Sequence, residues 1–153
     1  MHVEIVKRVN KAAVKGEIFL NTLILLGDTD WLALSIKASR LADVARVYKN
    51  CSKLLKPFFR LHYHTSSLYR QRHIWYGDWK KRLETYNTVI LFDVFEDVDI
   101  IEYIRNKYPR IRLIVYYYNT VYNKKRLENI KRINGVEIWS FDKKDCNKYQ
   151  LIY

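Results

Sequence analysis

The stretch "NTVILFDVFEDVDIIEYIRNKYPRIRLIVYYYN", residues 87–119, reads as strand, helix, strand. "NTVILFD" is almost continuously apolar, as expected of a strand covered on both faces. In "EDVDIIEYIRNKYP" Asp99 and Glu102 have capping-box spacing, and Ile100, Ile104 and Tyr108 recur at i, i+4 to make one apolar stripe. Acidic residues gather at its start and Arg105 and Lys107 near its end, as the helix dipole favours, and Pro109 stops it. "RIRLIVYYYN" then returns to a buried strand.

Towards the carboxyl terminus the alternation continues with a helix in "KKRLENIKRI", a strand in "GVEIWSFD" after Asn-Gly, and a short helix that Asp142 can cap, with Asp145 in its first turn. Towards the amino terminus "FLNTLILLGD" reads as a buried strand ending at Gly27. Asp28, Thr29 and Asp30 offer N-caps to a helix from Trp31 to Arg46, with Leu32, Leu34, Ile36, Leu41 and Val44 on its apolar side. "PFFRLHYHTS" is assigned as a second strand and "WYGDWKKRLETY" as a short amphipathic helix. Strands and helices alternating at these spacings suit right-handed crossovers. The expected fold is α/β, a Rossmann-like three-layer sandwich with a mostly parallel sheet of about five strands.

With 153 residues, four glycines, two prolines and no Ser/Gly-rich linker or repeat, the sequence reads as one domain over residues 1–153, with residues 1–20 as an extension. Cys51 and Cys146 have neither metal nor redox spacing, which fits a reducing cytoplasm. No apolar run reaches the ~20 residues of a membrane-spanning helix, and Met1 to Lys15 lacks the apolar stretch of a signal peptide. The net charge is +12, and residues 46–82 hold ten Lys or Arg against one acid, Asp78. Interleaved with Phe, Tyr and Trp, this segment suits an anionic membrane surface, with the protein peripheral at the inner face of the cell membrane. A nucleic-acid partner is disfavoured, because no RRM, KH or helix-turn-helix signature accompanies the charge.

In a parallel sheet, ligands bind outside the carboxyl ends of the strands. The sequence puts polar residues at each such end: Gly27-Asp28-Thr29-Asp30, then Asp93, then Asn119-Thr120, then Ser140-Phe141-Asp142. Each has a plain structural use as well, since a cap is worth about 1 kcal/mol. Asp93, directly after "VILF", is the least easily explained by capping. "GDTDW" lacks GxGxxG and the P-loop lysine, so no dinucleotide or other cofactor is expected. His62 and His64 would share one face of a strand, but two histidines without an HExxH pattern do not make a metal site, and none is expected.

"LILLGDTDWLAL", "YNTVILFD", "IIEYIRNKYPRIRLIVYYYNTV" and above all "WSFDKKDCNKY", residues 139–149, resemble the amino-terminal half of bacterial glycosyltransferase-like proteins of lipopolysaccharide and capsular polysaccharide biosynthesis. A Ser-Phe-Asp strand end followed by Asp-x-x-x-Tyr looks like that family's signature. The resemblance covers most of residues 23–153, with Tyr118 and Thr120 standing where the family pattern has Trp and Pro. It implies the acceptor-side domain of a two-domain GT-B enzyme, whose second domain binds the nucleotide sugar. It further implies a sugar or lipid-linked saccharide acceptor and a donor-binding domain or subunit beyond Tyr153. Without that donor site the isolated chain is expected to be inactive. An inverting transfer needs a base for the acceptor hydroxyl, for which Asp28, Asp30 and Asp93 are the candidates. Gly27, Thr29, Asn119, Ser140, Phe141 and Asp142 would line the acceptor site. Residues 88–117 also resemble the middle of a response-regulator receiver, with Asp93 at the phosphoacceptor position.

Overall fold

The computed structural model describes residues 21–27, 42–50, 52–66, 72–92 and 98–153. Five strands, β1 (Thr22–Leu26), β2 (Asp43–Arg46), β3 (Thr88–Phe92), β4 (Arg112–Tyr117) and β5 (Val136–Ser140), form one sheet in the order β2-β1-β3-β4-β5. All four pairings are parallel. The helices α1 (Lys56–Ser66), α2 (Val98–Lys107), α3 (Lys124–Lys131) and α4 (Lys143–Tyr149) complete the described regular structure, with 3-10 turns at Arg72–Trp75, Asp78–Lys81 and Leu83–Thr85. This is the α/β Rossmann-like sandwich expected from the sequence.

Alternation along each strand divides the sheet into two faces. Leu23, Leu25, Val89, Leu91, Leu113, Val115 and Ile138 face the main core, which Ile100, Ile101 and Ile104 of α2 and Leu127 and Ile130 of α3 close from above. Ile24, Leu26 and Phe92 form a second cluster on the opposite face with Ala42, Val44, Ile90, Tyr116 and Tyr118. Beside it that face turns polar. Arg112 grips Glu137 with two hydrogen bonds of 2.6 and 2.9 Å, and the Trp139 indole N–H donates to the same carboxylate at 3.0 Å.

The β3–α2–β4–α3–β5 portion follows the expected order, but three expectations between residues 31 and 86 are corrected, and one at the start of α2. Asp43–Arg46 is not the end of a helix; it is the edge strand β2, paired along β1 from Leu23↔Asp43 to Leu26↔Arg46. Pairing overrides the helical preference of Ala and Arg, and residues 31–41 lie outside the described residues. "PFFRLHYHTS" is helix α1 and not a strand, because Leu54, Phe58 and Leu61 on one side and Phe59 and Tyr63 on another obey helical spacing. Pro57 sits in its first turn, where proline is tolerated. His62 and His64 therefore do not share a strand face: His62 Nδ1 accepts a 2.7 Å hydrogen bond from the Trp75 indole, and His64 is exposed.

"WYGDWKKRLETY" forms two 3-10 turns in place of a continuous helix, each burying one residue, Trp79 or Leu83. Gly77 sets the break. Its N–H donates to the Val47 carbonyl at 2.9 Å, as does the Trp79 indole N–H, and a Cβ there would stand 2.9 Å from the Trp79 ring and 3.0 Å from the Arg46 carbonyl oxygen. The Asp99–Glu102 capping box also fails. With α2 starting at Val98, Asp99 lies in the first turn and pairs with Arg72 at 3.3 Å.

Candidate functional site

Parallel strands bring all their carboxyl ends to one edge. Leu26 is level with Arg46 and Phe92, Phe92 with Tyr116, and Tyr117 with Ser140. From β1 the chain goes to β2 on one side, whereas β3, β4 and β5 build outward on the other, so the topological switch lies between β1 and β3. Gly27 and Phe92 meet there, the Gly27 N–H donating to the Phe92 carbonyl at 3.4 Å. Asp28, Thr29, Asp30 and Asp93 lie outside the described residues, directly after these two neighbours in the chain.

The β4 end is held from behind. Val121 N–H donates to the carboxylate of Asp145 at 2.6 Å, and both residues are buried. Asn123 caps α3 by accepting from the Arg126 N–H at 3.0 Å. Between these two anchors and β4 stand Asn119 and Thr120, both exposed on the rim. The Tyr117 ring points to the main core, where its hydroxyl is buried without a hydrogen-bond partner among the described residues. Burial pushes its pKa up, and the charge of Arg126 pulls partly the other way.

At the β5 end the polar residues are occupied by the fold. Asp142 caps α4, accepting from the Lys144 N–H at 2.8 Å, and the buried Ser140 hydroxyl accepts from the Asp142 N–H at 3.2 Å. The Cys146 thiol donates to the Ser140 carbonyl, and burial raises its pKa above the ordinary thiol value. Ile152 extends the sheet by one rung: its carbonyl accepts from Ser140 N–H at 2.9 Å and its N–H donates to Ile138 at 3.0 Å.

Phe141 is different, because its half-buried ring takes part in a row of aromatics along the rim. Ring centroids stand 6.1 Å apart for Phe141 and Tyr118, 5.6 Å for Tyr118 and Phe92, and 5.2 Å for Phe92 and Tyr116, the last pair stacked within 7° of parallel. The row crosses the ends of β3, β4 and β5. Phe92, Tyr116 and Tyr118 are not among the residues the sequence assigns to the site. The available signal was the i, i+2 recurrence of tyrosine at the end of β4, but its meaning needs the register that sets it beside Phe92.

The described geometry thus joins Gly27, Phe92, Asn119, Phe141 and Asp142 at one edge and keeps Ser140 beneath it. The half-buried faces of Tyr116, Tyr118 and Phe141, backed by the buried Phe92 ring and bordered by amide, hydroxyl and carboxylate groups, suit a ligand with an apolar face and a polar perimeter. Among the described residues no three His, Cys, Asp or Glu side chains gather into a metal-holding group. No family model, curated protein or solved structure matched the chain.

Proposed function

We propose that this chain is the acceptor-side domain of a glycosyltransferase-like protein acting in bacterial cell-surface polysaccharide biosynthesis. The observation that carries the reading is the rim itself, where the aromatic row Phe141–Tyr118–Phe92–Tyr116 runs past the switch between β1 and β3. A sugar ring stacks its C–H face on such aromatics while its hydroxyls reach Asn119 and Thr120. The resemblance centred on residues 139–149 supports the same assignment. In this reading one carboxylate among Asp28, Asp30 and Asp93 takes the acceptor hydroxyl proton as the oxygen bonds to the anomeric carbon. The nucleoside diphosphate leaves from a donor site on another domain or subunit. Saturation-transfer NMR with cell-surface oligosaccharides should show binding that Tyr118→Ala and Phe141→Ala weaken about tenfold, a loss of ~1.4 kcal/mol. Binding that both variants leave intact would sink the assignment.

Strand order favours a second reading. The order 2-1-3-4-5 is shared with phosphoacceptor receivers, and Asp93 directly follows β3. Against it, receivers carry a lysine at the end of their final strand, whereas β5 ends at Ser140, followed by Phe141 and Asp142. Incubation with acetyl phosphate and magnesium separates the two, since a receiver gains one phosphate by intact mass and an acceptor domain gains none.

A further inference from the structure

The basic segment over residues 46–82 divides, once folded, into a part that packs and a part that does not. Apart from Phe58, its described aromatic rings turn inward or pack on one another. Tyr48 stands within 6 Å of Phe59, Tyr63 and Tyr76, Phe59 meets Trp75 edge-on at 5.1 Å, and Tyr76 stacks on Trp79 at 5.6 Å. Rings engaged with one another in this way do not offer the stacking platform a single-stranded nucleic acid needs.

Helix α1 and the turn before it show the opposite. Leu54, Phe58 and Leu61 are 85%, 68% and 67% exposed, and their i, i+4, i+7 spacing lines them up as one ridge. Leu55 widens it at 51%. Phe59, Tyr63 and the His62–Trp75 hydrogen bond fix the helix to the body along a different side. On the remaining side Lys53, Lys56, Arg60 and His64 form an exposed polar row, and residues 44–66 contain five Lys or Arg and no acid. Anchoring side, bare apolar ridge and cationic row thus follow one another round the same helix.

We infer that α1 is a membrane-docking helix, which lies in the headgroup region of an anionic bilayer with Leu54, Phe58 and Leu61 in the acyl boundary and Lys53, Lys56 and Arg60 among the lipid phosphates. Charge complementarity selects this occupant. A second copy would set one cationic row against another, whereas an anionic lipid surface answers the ridge and the cations together. A protruding ridge also needs no matching groove in a fluid surface. Tyr48, two residues beyond β2, holds α1 near the carboxyl end of that strand, so docking would place the strand-end rim close to the membrane.

Vesicles of phosphatidylcholine, with and without phosphatidylglycerol, test this surface apart from any saccharide, so its outcome is independent of the proposed acceptor function. At low salt the chain should sediment with the phosphatidylglycerol vesicles and be released as salt rises. The combined variant Leu54→Ser, Phe58→Ser, Leu61→Ser should lose about tenfold or more in partitioning while keeping its circular dichroism. Lys53→Gln, Lys56→Gln, Arg60→Gln should lose the preference for anionic lipid. A Phe58→Trp variant should become sensitive to brominated lipid. Absence of sedimentation at low salt would overturn the inference, as would equal retention of the serine variant. Self-association in place of lipid binding, abolished by the serine changes, would overturn it in favour of a second copy.

Discussion

The crossovers from β3 to β4 and from β2 to β3 solve the same topological problem differently. The first delivers α2, whose Ile100, Ile101 and Ile104 are all buried against the sheet. The second delivers α1, whose most apolar ridge faces water, and leaves the sheet to be covered by Trp79 and Leu83 from short 3-10 turns and by Tyr76 just before them. Apolar residues at helical spacing therefore mean a core element in one crossover and a surface with capacity to bind in the other. Which meaning holds depends on what else reaches the sheet first.

Breaking that substitution by the 3-10 turns should have the largest effect. Trp79→Ala removes a ring that is 2% exposed together with its hydrogen bond to the Val47 carbonyl. A destabilisation of about 3–5 kcal/mol is expected in denaturant titration. A loss below ~1 kcal/mol would mean that the second crossover does not depend on its turns.

The contrast also explains which parts of the fold are legible in sequence. Most of residues 87–149 announces itself because β3 and β4 are short apolar runs and α2 and α3 each carry one inward stripe. In residues 42–66 two signals compete. Asp43–Arg46 has helix-forming residues held extended by pairing, and α1 has two apolar sides, which blur its period into something resembling a strand. The rim was half legible. Strand ends such as Gly27, Asn119 and Phe141 follow from parallel order alone, but the aromatic row depends on register between strands, and the structural roles of Ser140 and Asp145 depend on three-dimensional packing.

A smaller effect should follow from loosening the carboxyl-terminal portion. Asp145→Ala leaves the buried Val121 N–H without its acceptor, at a cost of about 1–3 kcal/mol. Hydrogen exchange at Val121 should accelerate more than exchange in β1; uniform acceleration would show that the loop before α3 is not separately pinned.

Smaller still is the Arg112–Glu137 pair on the polar part of the second face. The Arg112 hydrogen bonds hold the Glu137 carboxyl below its ordinary value, with the Trp139 N–H adding to this against the opposing effect of burial. A lowered folded-state pKa gives stability that is present above the unfolded value and lost as pH falls through the folded one. Both side chains are about a third exposed or more, so Glu137→Gln should cost under ~1 kcal/mol at neutral pH. The difference from wild type should shrink on acidification between those two values. A difference that grows on acidification would contradict the pairing.

The smallest stability change belongs to the ridge. Leu61→Gln should shift unfolding by no more than about 0.5 kcal/mol, since its side chain meets water already. Thermal melts of the two proteins should nearly superimpose. A large loss would place Leu61 in a core like that of α2 and erase the distinction between the crossovers.

The solitary phenol of Tyr117 makes improvement as well as damage accessible. Desolvated without a compensating acceptor among the described residues, its oxygen is a standing penalty that phenylalanine would relieve without altering ring packing. Tyr117→Phe should therefore raise the melting midpoint, by a free energy of about 1 kcal/mol. It would supply a sturdier background on which the rim and ridge variants can be compared without marginal folding confusing the result.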